Sequence, residues 1–491
     1  MGSSKVDSFM FWAVVLNVLI RWLVSRFPHS GAKSPPLYGD YEAQRHWMEI
    51  TYALSPSEWY KNSTENDLQY WGLDYPPLTA YHSWLNGWVA SHFNQSWIEL
   101  GKSRGIQTYH HRIFMRSTVL VTDMLVYFTA MISFFMKLDK NLSNRERAMS
   151  ATIGLLYPAL ILIDHGHFQY NHMSLGLTLW AINMIVREKY AKAAIFFCLA
   201  LNYKQISLYY SFPFAFYLLG ICFKKGFRGV PTFISLAIVV ILTFVLCWLP
   251  FLEKLETILS VVKRLFPLSR GLYEDKVANV WCSLEIFIKF KKLFPVEKMA
   301  TLASIIIFIL NIPSSLHLLF NPVPKKFVYA LAYSSLVFFL FAFQVHEKSI
   351  LFAGLPIILL INDSPLVTLW FYVISTFSLI PLMVKDHLMI PTFALTVLIL
   401  VIYFAFFYDM RLSNLSILLS GKPLIFSASI MGCIFLALVD KIIEPPSKYP
   451  HIFILLNSIY SCIHFIGFAL YYHSRLFREV SYHESLKNKS Q

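Results

Sequence analysis

The chain has 491 residues, of which 56% are apolar, 17% aromatic and only 14% charged, and its mean hydropathy is +0.54. Because soluble domains carry about 25% charged residues, these values exclude a single soluble domain. The net charge of +14 would indicate nucleic-acid binding in a soluble chain. In a membrane protein, basic residues instead anchor loops to anionic headgroups, so the bilayer is the expected partner and nucleic acid is not.

Apolar runs recur along the whole chain, and many approach the ~20 residues that a helix needs to cross a bilayer. They lie at residues 9–24, 117–136, 148–163, 173–186, 193–202, 207–223, 230–252, 302–320, 327–343, 349–361, 367–383, 390–407, 424–439 and 452–472. Several runs are short, so the sequence predicts an all-α polytopic membrane protein with about 11 to 14 transmembrane helices.

The basic residues orient these helices. With a cytosolic N-terminus, Arg147, Lys189, Lys225 and Lys326 fall in cytosolic loops, as the positive-inside rule requires, and the C-terminus is cytosolic as well. Lys487 and Lys489 then form a tail that resembles a cytosolic dilysine retrieval signal, which predicts the endoplasmic reticulum membrane. Arg21 and Arg26 lie near the lumenal end of the first span and oppose the bias, and the pattern offers no reason for them.

We expect the whole chain, 1–491, to form one domain. Two of its polar segments, 25–116 and 253–300, are too long for simple turns, and both fall on the lumenal side of the membrane. The first contains six tryptophans among alternating charges, a composition typical of helices at the membrane interface. We expect it to be a folded cap over an active site. Asn62 and Asn94 begin sequons for glycosylation in this segment, which is consistent with a lumenal location.

Six polar clusters would share the lumenal side: 39–42, 73–77, 164–167, 203–205, 270–276 and 346–348. Ionisable groups at helix ends beside a water-filled cavity are costly, so they indicate a functional site. Asp40 follows a turn and opens a helical run, which allows both a helix cap and a general base. The candidates for contact with sugar or phosphate are Glu42, Arg45, Asp74, Tyr75, His165, His167, Lys204, Arg270, Glu274, His346, Glu347 and Lys348.

Simpler roles stay open for several of these residues. Asp74 suits a turn, Glu274 a solvated loop, and His346-Glu347-Lys348 a charged helix end. His165 and His167 have no metal-ligand spacing, so no metal is expected there. The sequence has no P-loop, Rossmann glycine motif or GxSxG elbow, which disfavours a nucleotide donor and serine hydrolysis.

Several long motifs resemble the endoplasmic-reticulum dolichyl-phosphate-glucose glucosyltransferases, in the same order and over nearly the whole chain. They are Tyr38-Gly39-Asp40-Tyr41-Glu42-Ala43-Gln44-Arg45-His46-Trp47, Gln69-Tyr70-Trp71-Gly72-Leu73-Asp74-Tyr75-Pro76-Pro77, Gly166-His167-Phe168-Gln169-Tyr170-Asn171, residues 270–281, and Phe343-Gln344-Val345-His346-Glu347-Lys348. The patterns around Gly39-Asp40 and 273–279 are similar to the family member that adds the first glucose to the lipid-linked Man9GlcNAc2 oligosaccharide.

The resemblance implies a C-type glycosyltransferase fold with a lumenal cavity and an inverting hexosyltransferase reaction without metal or cofactor. Dolichyl phosphate glucose would be the donor, the dolichyl-pyrophosphate-linked oligosaccharide the acceptor, and a monomer the working form. The family's catalytic base corresponds to Asp40. The alternatives are the sister enzyme that adds the second glucose, a mannosyltransferase of the same fold, a membrane O-acyltransferase and a transporter of lipid-linked sugars, although no inverted repeat is visible.

Overall fold

The computed structural model describes residues 3–138, 142–267, 277–411 and 421–487. In chain order the helices are α1 (Ser3–Val24), α2 (Gly39–Ala53), α3 (Pro77–Phe93), α4 (Tyr109–Thr122), α5 (Thr129–Leu138), α6 (Asn144–Leu155), α7 (Pro158–Ile161), α8 (Asn171–Val186), α9 (Tyr190–Tyr203), α10 (Ser211–Lys224), α11 (Val230–Trp248), α12 (Leu255–Leu265), α13 (Val280–Leu284), α14 (Phe290–Leu293), α15 (Val296–Phe320), α16 (Pro324–Phe341), α17 (Ile350–Leu359), α18 (Pro365–Ser378), α19 (Ile380–Lys385), α20 (Met389–Arg411), α21 (Gly421–Ile442) and α22 (Ile452–Lys487). These described residues contain no β-strand, which confirms the all-α prediction.

Among the described residues, seven helices are long and apolar enough to cross a membrane: Tyr109–Lys137, Gln205–Lys224, Gly226–Phe251, Val296–Phe320, Met389–Phe406, Pro423–Ile442 and Ile452–Arg478. An eighth span arises if Asn144–Leu155 and Pro158–Phe168, which are bent by 43°, cross as a pair. Three shorter apolar helices are Ser8–Val24, Tyr190–Tyr203 and Pro365–Ser378. The chain is therefore a multi-pass membrane protein, and the range of 11 to 14 spans stays a prediction.

The chain divides into two compact units. The first comprises Met1–Leu208, Pro231–Pro267 and Leu382–Thr392, and the second comprises Tyr209–Val230, Leu268–Pro381 and Phe393–Gln491. In the first unit α8 packs on α9 and α2 packs on α3, while in the second α16 packs against α15, α17 and α22. Most of the predicted polar clusters belong to the first unit.

The long polar segment after α1 is folded and not a linker. Its helix α2 is buried along Tyr41 to Thr51, including the charged side chains, so it does not present the amphipathic face expected of an interfacial helix. Trp47 and Trp59 pack into an apolar cluster with Phe251 and Leu265. The exposed tryptophans lie on α3 instead, at Trp84 and Trp88. The segment ends at Thr108, because α4 begins at Tyr109, and α15 likewise begins inside the second polar segment.

Charges inside α2 are compensated by one another. Arg45 donates to Glu42 at 2.6 Å and lies 2.6 Å from a carboxylate oxygen of Glu49, and the three side chains are at most 1% exposed. Glu42 also accepts from the Tyr70 hydroxyl at 2.9 Å. Burial by itself would lower the pKa of Arg45, but the hydrogen bond and charge of Glu42 outweigh it and raise that pKa. The network therefore ties α2 to the rest of the segment.

We predict that Arg45→Gln destabilises the protein by about 3–5 kcal/mol, because it leaves two buried carboxylates without their cation. The midpoint of thermal unfolding, followed by tryptophan fluorescence in detergent, measures this change. Lys102→Gln is the matched control, since Lys102 pairs with Glu99 at the same 2.6 Å distance but both side chains are exposed. Equal midpoints for Arg45→Gln and wild type would contradict a structural role for the network.

The same network makes stability sensitive to acid. Burial by itself raises the pKa of Glu49, but the hydrogen bond with His46 and the charge of Arg45 outweigh it and lower the pKa from 4.5 to about 2. A carboxylate with a depressed folded pKa stabilises the fold fully above the unfolded pKa and loses this contribution as pH falls towards the folded value. We expect the unfolding midpoint to drop between about pH 4.5 and pH 2 less steeply in Glu49→Gln than in wild type, and parallel curves would refute this.

Candidate active site

Asp40 lies in the first turn of α2, directly after a tight backbone approach. Gly39 has φ of +67°, and a Cβ there would lie 2.6 Å from the carbonyl carbon of Ser30, so only glycine fits without displacement. The Asp40 amide donates to the Ser30 hydroxyl at 3.3 Å. The N-cap position of α2 belongs to Tyr38. Asp40 is therefore not the helix cap, and its carboxylate is available for other contacts.

The Asp40 carboxylate meets two side chains of the segment between α7 and α8. Gln169 Nε2 donates to Oδ2 at 2.5 Å, and His167 Nε2 lies 3.0 Å from the same oxygen. The Asp40 side chain is 21% exposed, whereas that of His167 is 3% exposed. The carboxylate is thus held in one orientation by buried partners and remains accessible to a substrate.

Asp386, in the turn between α19 and α20, contacts the other nitrogen of the same imidazole through a short hydrogen bond from His167 Nδ1. An ionised carboxylate only accepts hydrogen bonds, so both contacts form together when His167 is an imidazolium. The positive ring then offsets the two neighbouring negative charges. Asp386 is 3% exposed, so it acts on the site through His167.

A wide helical turn brings these groups together. Residues Leu162–Phe168 form a π-type helix, in which the extra residue per turn directs successive polar side chains to different elements. Phe168 then adopts φ of +92°, a strained value for an aromatic residue, which lets His167 and Gln169 reach the same carboxylate. Gly166 allows the turn to pack closely, because a Cβ there would lie 2.9 Å from Leu388, two residues after Asp386.

A small cavity of about 180 Å³ is lined by Gln169, the side chain that donates to Asp40. Gln169, Tyr75 and Lys204 line it with four other side chains. Lys204 Nζ lies 4.6 Å from the centre of the Tyr75 ring and donates to Asn171 at 2.6 Å. Asp74 precedes Tyr75, and its carbonyl accepts from Gln205 at 3.0 Å. Gln169 therefore connects two pairs of predicted site residues: it donates to Asp40, which also contacts His167, and it shares the cavity lining with Tyr75 and Lys204.

His165 points away from this region and into the apolar body. Its Nε2 lies 2.8 Å from Asp123, which also pairs with Arg21 at 2.6 Å. Arg21 donates further to the Leu155 carbonyl at 2.9 Å. All three side chains are at most 2% exposed, so this cluster joins α1, the end of α6, the π-type turn that carries His165 and the residue that follows α4. It accounts for Arg21, for which the sequence pattern offered no reason.

The other predicted site residues make no recorded contact with Asp40 or lie in other parts of the chain. Glu42 and Arg45 are fully buried in the network of α2. His346, Glu347 and Lys348 belong to the second unit, where His346 Nδ1 lies 3.0 Å from Glu347. Burial there would raise the pKa of Glu347, but the charge of His346 lowers it to about 2. Arg270 and Glu274 lie outside the described residues.

The remaining surface predictions lie on the first polar segment. Asn62 and Asn94 are both exposed. Asn94 accepts from the Ser96 hydroxyl of its own sequon at 2.8 Å. In the part of the chain that the structure describes, no group of three or more His, Cys, Asp or Glu side chains is arranged to hold a metal ion.

Two residues that contact the site, Gln169 and Asp386, were not among the predicted site residues. Gln169 lies inside a quoted motif, but an amide gives no titration signal. Asp386 belongs to Lys385-Asp386-His387, a charged interruption between two apolar runs. The predicted topology puts this turn on the same side as the six polar clusters, so the position of an ionisable residue at a helix end was the signal that could have identified it.

Comparison with known proteins adds independent information. The dolichyl pyrophosphate Man9GlcNAc2 alpha-1,3-glucosyltransferase of Rattus norvegicus is 43% identical over 487 residues, covering 95% of this chain and 96% of that protein. The protein of the same name from Gallus gallus is 44% identical with the same coverage. Among solved structures, ArnT from Cupriavidus metallidurans bound to undecaprenyl phosphate is similar, with 12% identity, a TM-score of 0.43, and coverage of 96% of this chain and 77% of that one.

The family assignment rests on the extent of the match and not on one motif. Residues 17–471 match the ALG6, ALG8 glycosyltransferase family, a range that begins inside α1 and ends inside α22. The range includes Asp40, His167, Gln169 and Asp386. The chain belongs to the ALG6, ALG8 glycosyltransferase family.

Proposed function

We propose that this chain is an inverting glucosyltransferase that adds the first glucose, in an alpha-1,3 linkage, to the dolichyl-pyrophosphate-linked Man9GlcNAc2 oligosaccharide. The observation that carries this conclusion is the 43–44% identity over 95% of the chain to proteins named for that reaction. The accessible Asp40 carboxylate, oriented by His167 and Gln169 beside a cavity, supplies the general base that such a reaction needs.

The proposed donor is dolichyl phosphate glucose. Asp40 accepts the proton of the acceptor hydroxyl while the acceptor oxygen forms a bond to C1 of glucose, and the bond from C1 to the phosphate oxygen breaks. The electron pair leaves with dolichyl phosphate, and a β-linked glucose becomes α-linked. The proposed transfer uses no metal or cofactor. A side chain takes the proton, and the leaving group is a phosphate, which carries the departing charge itself.

Cationic side chains are proposed to stabilise the departing phosphate. The candidates are Lys204, Arg270, His346 and Lys348. Lys204 is supported by its position at the cavity next to Tyr75, where it is 8% exposed. His346 is supported by its 39% exposed side chain and its contact with Glu347. Asp74 is proposed to position sugar. Glu42, Arg45 and His165 are buried in charge networks and are proposed to stabilise the fold around the site.

The predicted orientation completes the proposal. The site faces the lumen of the endoplasmic reticulum, both termini lie in the cytosol, and the protein works as a monomer. The exposed sequons at Asn62 and Asn94 support a lumenal location for the first polar segment, because glycosylation occurs on that side.

The decisive experiment uses purified protein in detergent, dolichyl phosphate glucose and the lipid-linked Man9GlcNAc2 acceptor, with EDTA present. A product one glucose larger supports the assignment and the metal independence. Extension only of an acceptor that already carries one glucose would assign the sister reaction. No transfer to either acceptor, with or without divalent metal, would refute the glucosyltransferase proposal.

We predict that Asp40→Asn lowers kcat by about 10²–10⁴-fold, the range typical of a general base. The isosteric amide keeps the shape of the side chain but does not take the proton. Asp67→Asn is the control, because Asp67 lies on the same segment and only accepts a local bond from the Gln69 amide at 2.9 Å. Full activity of Asp40→Asn would move the base to another carboxylate.

Asp386→Asn tests whether Asp386 orients the proposed base, Asp40, through His167. Loss of one charge-assisted hydrogen bond, about 1.5–3 kcal/mol, predicts a kcat lower by about tenfold to a hundredfold. The pH–rate profile should also shift, because His167 loses a carboxylate partner, whereas a merely structural defect would leave the profile in place. Lys385→Gln, an exposed neighbour, should match wild type. An unshifted profile with wild-type kcat would remove Asp386 from the site.

A further inference from the structure

A second cavity of the first unit lies where α1 ends and α4 begins. Its volume is about 400 Å³, and its lining includes Arg26, His29, Tyr109, Arg112 and Arg116. Its lining contains no carboxylate. The cavity is therefore strongly basic, and it is distinct from the smaller cavity beside Tyr75 and Lys204.

No ion pair within the described part of the chain neutralises the arginines of this cavity, and Arg116 meets only the more distant charge of Asp386. Arg26 and Arg112 are exposed, and none of the described carboxylates forms an ion pair with either of them or with Arg116. Arg26 lies 5.5 Å from the centre of the Tyr109 ring, which holds its guanidinium at the cavity. Arg112 is in the first turn of α4, where the helix dipole adds to the positive field.

Arg21, on α1, differs from these arginines. It is fully buried and paired with Asp123 at 2.6 Å. Arg26 also opposes the positive-inside bias, yet it lines an open cavity beside two further arginines. Three arginines without an ion-pair partner, placed together near the predicted lumenal end of a span, form a favourable site for an external anion.

His29 supplies a second sign of a missing ligand. The side chain is 3% exposed, its Nδ1 lies 3.1 Å from the Ser30 carbonyl, and its Nε2 is buried without a hydrogen-bond partner among the described residues. Burial, followed by the charges of Arg116 and Arg112, lowers the pKa of His29 to about 3. With Nδ1 donating to the Ser30 carbonyl, Nε2 carries no proton in the neutral ring, and it donates to a phosphate only as imidazolium, the form that an anion bound beside it favours.

The cavity is linked to the proposed base through direct contacts. Arg116 donates to the carbonyls of His165 and Gly166, at 2.6 and 2.8 Å, in the turn that carries His167. Ser30, next to His29, receives the Asp40 amide and donates its own amide to the His167 carbonyl at 2.9 Å. A ligand bound by the arginines therefore lies next to the segments that orient Asp40.

We propose that this basic cavity binds the phosphate group of a membrane lipid. Guanidinium groups bind phosphate oxygens through paired hydrogen bonds, and a site at the end of a span is within reach of phosphate carried on a lipid. Two sources share this chemistry: the diphosphate of the polyprenyl acceptor, which rests on the proposed function, and the phosphate of a bilayer phospholipid. The described lining of this cavity does not include Lys204, the cation of the same unit that is proposed for the leaving phosphate.

The first test measures lipid binding without catalysis. Native mass spectrometry of the full chain in detergent, with geranylgeranyl diphosphate as the probe, should show bound lipid in wild type and about tenfold weaker affinity in Arg26→Gln/Arg112→Gln, as loss of charge-assisted hydrogen bonds predicts. Geranylgeraniol, which lacks phosphate, should not respond to the substitutions. Arg104→Gln is the control, since Arg104 is an exposed arginine of the same segment that stacks on Tyr70 outside the cavity.

The second test separates the two sources. An increase in KM for the lipid-linked acceptor in the double variant, with KM for the donor and kcat unchanged, assigns the cavity to the acceptor diphosphate. Unchanged KM values with weaker retention of phosphatidylinositol assign it to a bilayer lipid. Equal binding of both phosphate lipids by the double variant and wild type overturns the inference. Binding is read without turnover, so this outcome is distinct from failure of the glucosyltransferase assay.

Discussion

The imidazole of His167 between Asp40 and Asp386 is the interaction on which the site depends. It joins segments that are 127 and 219 residues apart in sequence: the start of α2, the π-type turn and the turn before α20. Two carboxylates that approach each other in a mostly apolar protein repel and lose hydration, and contacts with the two ring nitrogens of His167 offset part of both costs. The strained Phe168 and the close approach at Gly39 are tolerated because this contact network holds the backbone in place.

Asp40, His167 and Asp386 differ in how much of each side chain is exposed. Asp386 and His167 are almost completely buried, whereas the Asp40 side chain is 21% exposed. A buried carboxylate orients its partner and does not meet a bulky sugar, while an accessible one held by buried donors is ready to receive a proton from a substrate. The same geometry explains why one of several acidic residues in the clusters is the proposed base. Lys204 and Tyr75, which Gln169 joins in the lining of the cavity, combine a cation with an aromatic ring.

The arginines that stabilise the fold have a carboxylate partner, whereas two arginines of the basic cavity form no recorded ion pair. Arg21 and Arg45 each meet a carboxylate at 2.6 Å and are fully buried, so their charge stabilises the packing of α1 and α2. Arg26 and Arg112 have the same charge but line an open cavity without a described acidic partner. The absence of an ion pair for these two arginines is the feature on which the proposed lipid-phosphate site rests.

The sequence by itself determined the helical class, the positions of most helices, the proposed base and the family, since long apolar runs and contiguous motifs are local properties of the chain. Tertiary structure decided the rest. Glu42 and Arg45 have helical spacing that suits a site as well as a buried network, and only packing shows that they bind each other. Asp386, the pairing of Arg21 with Asp123 and the grouping of Arg26 with Arg112 join residues far apart in sequence. Periodicity reports the neighbours of a residue along its own helix, whereas partners on other helices are chosen by the packing of the whole unit.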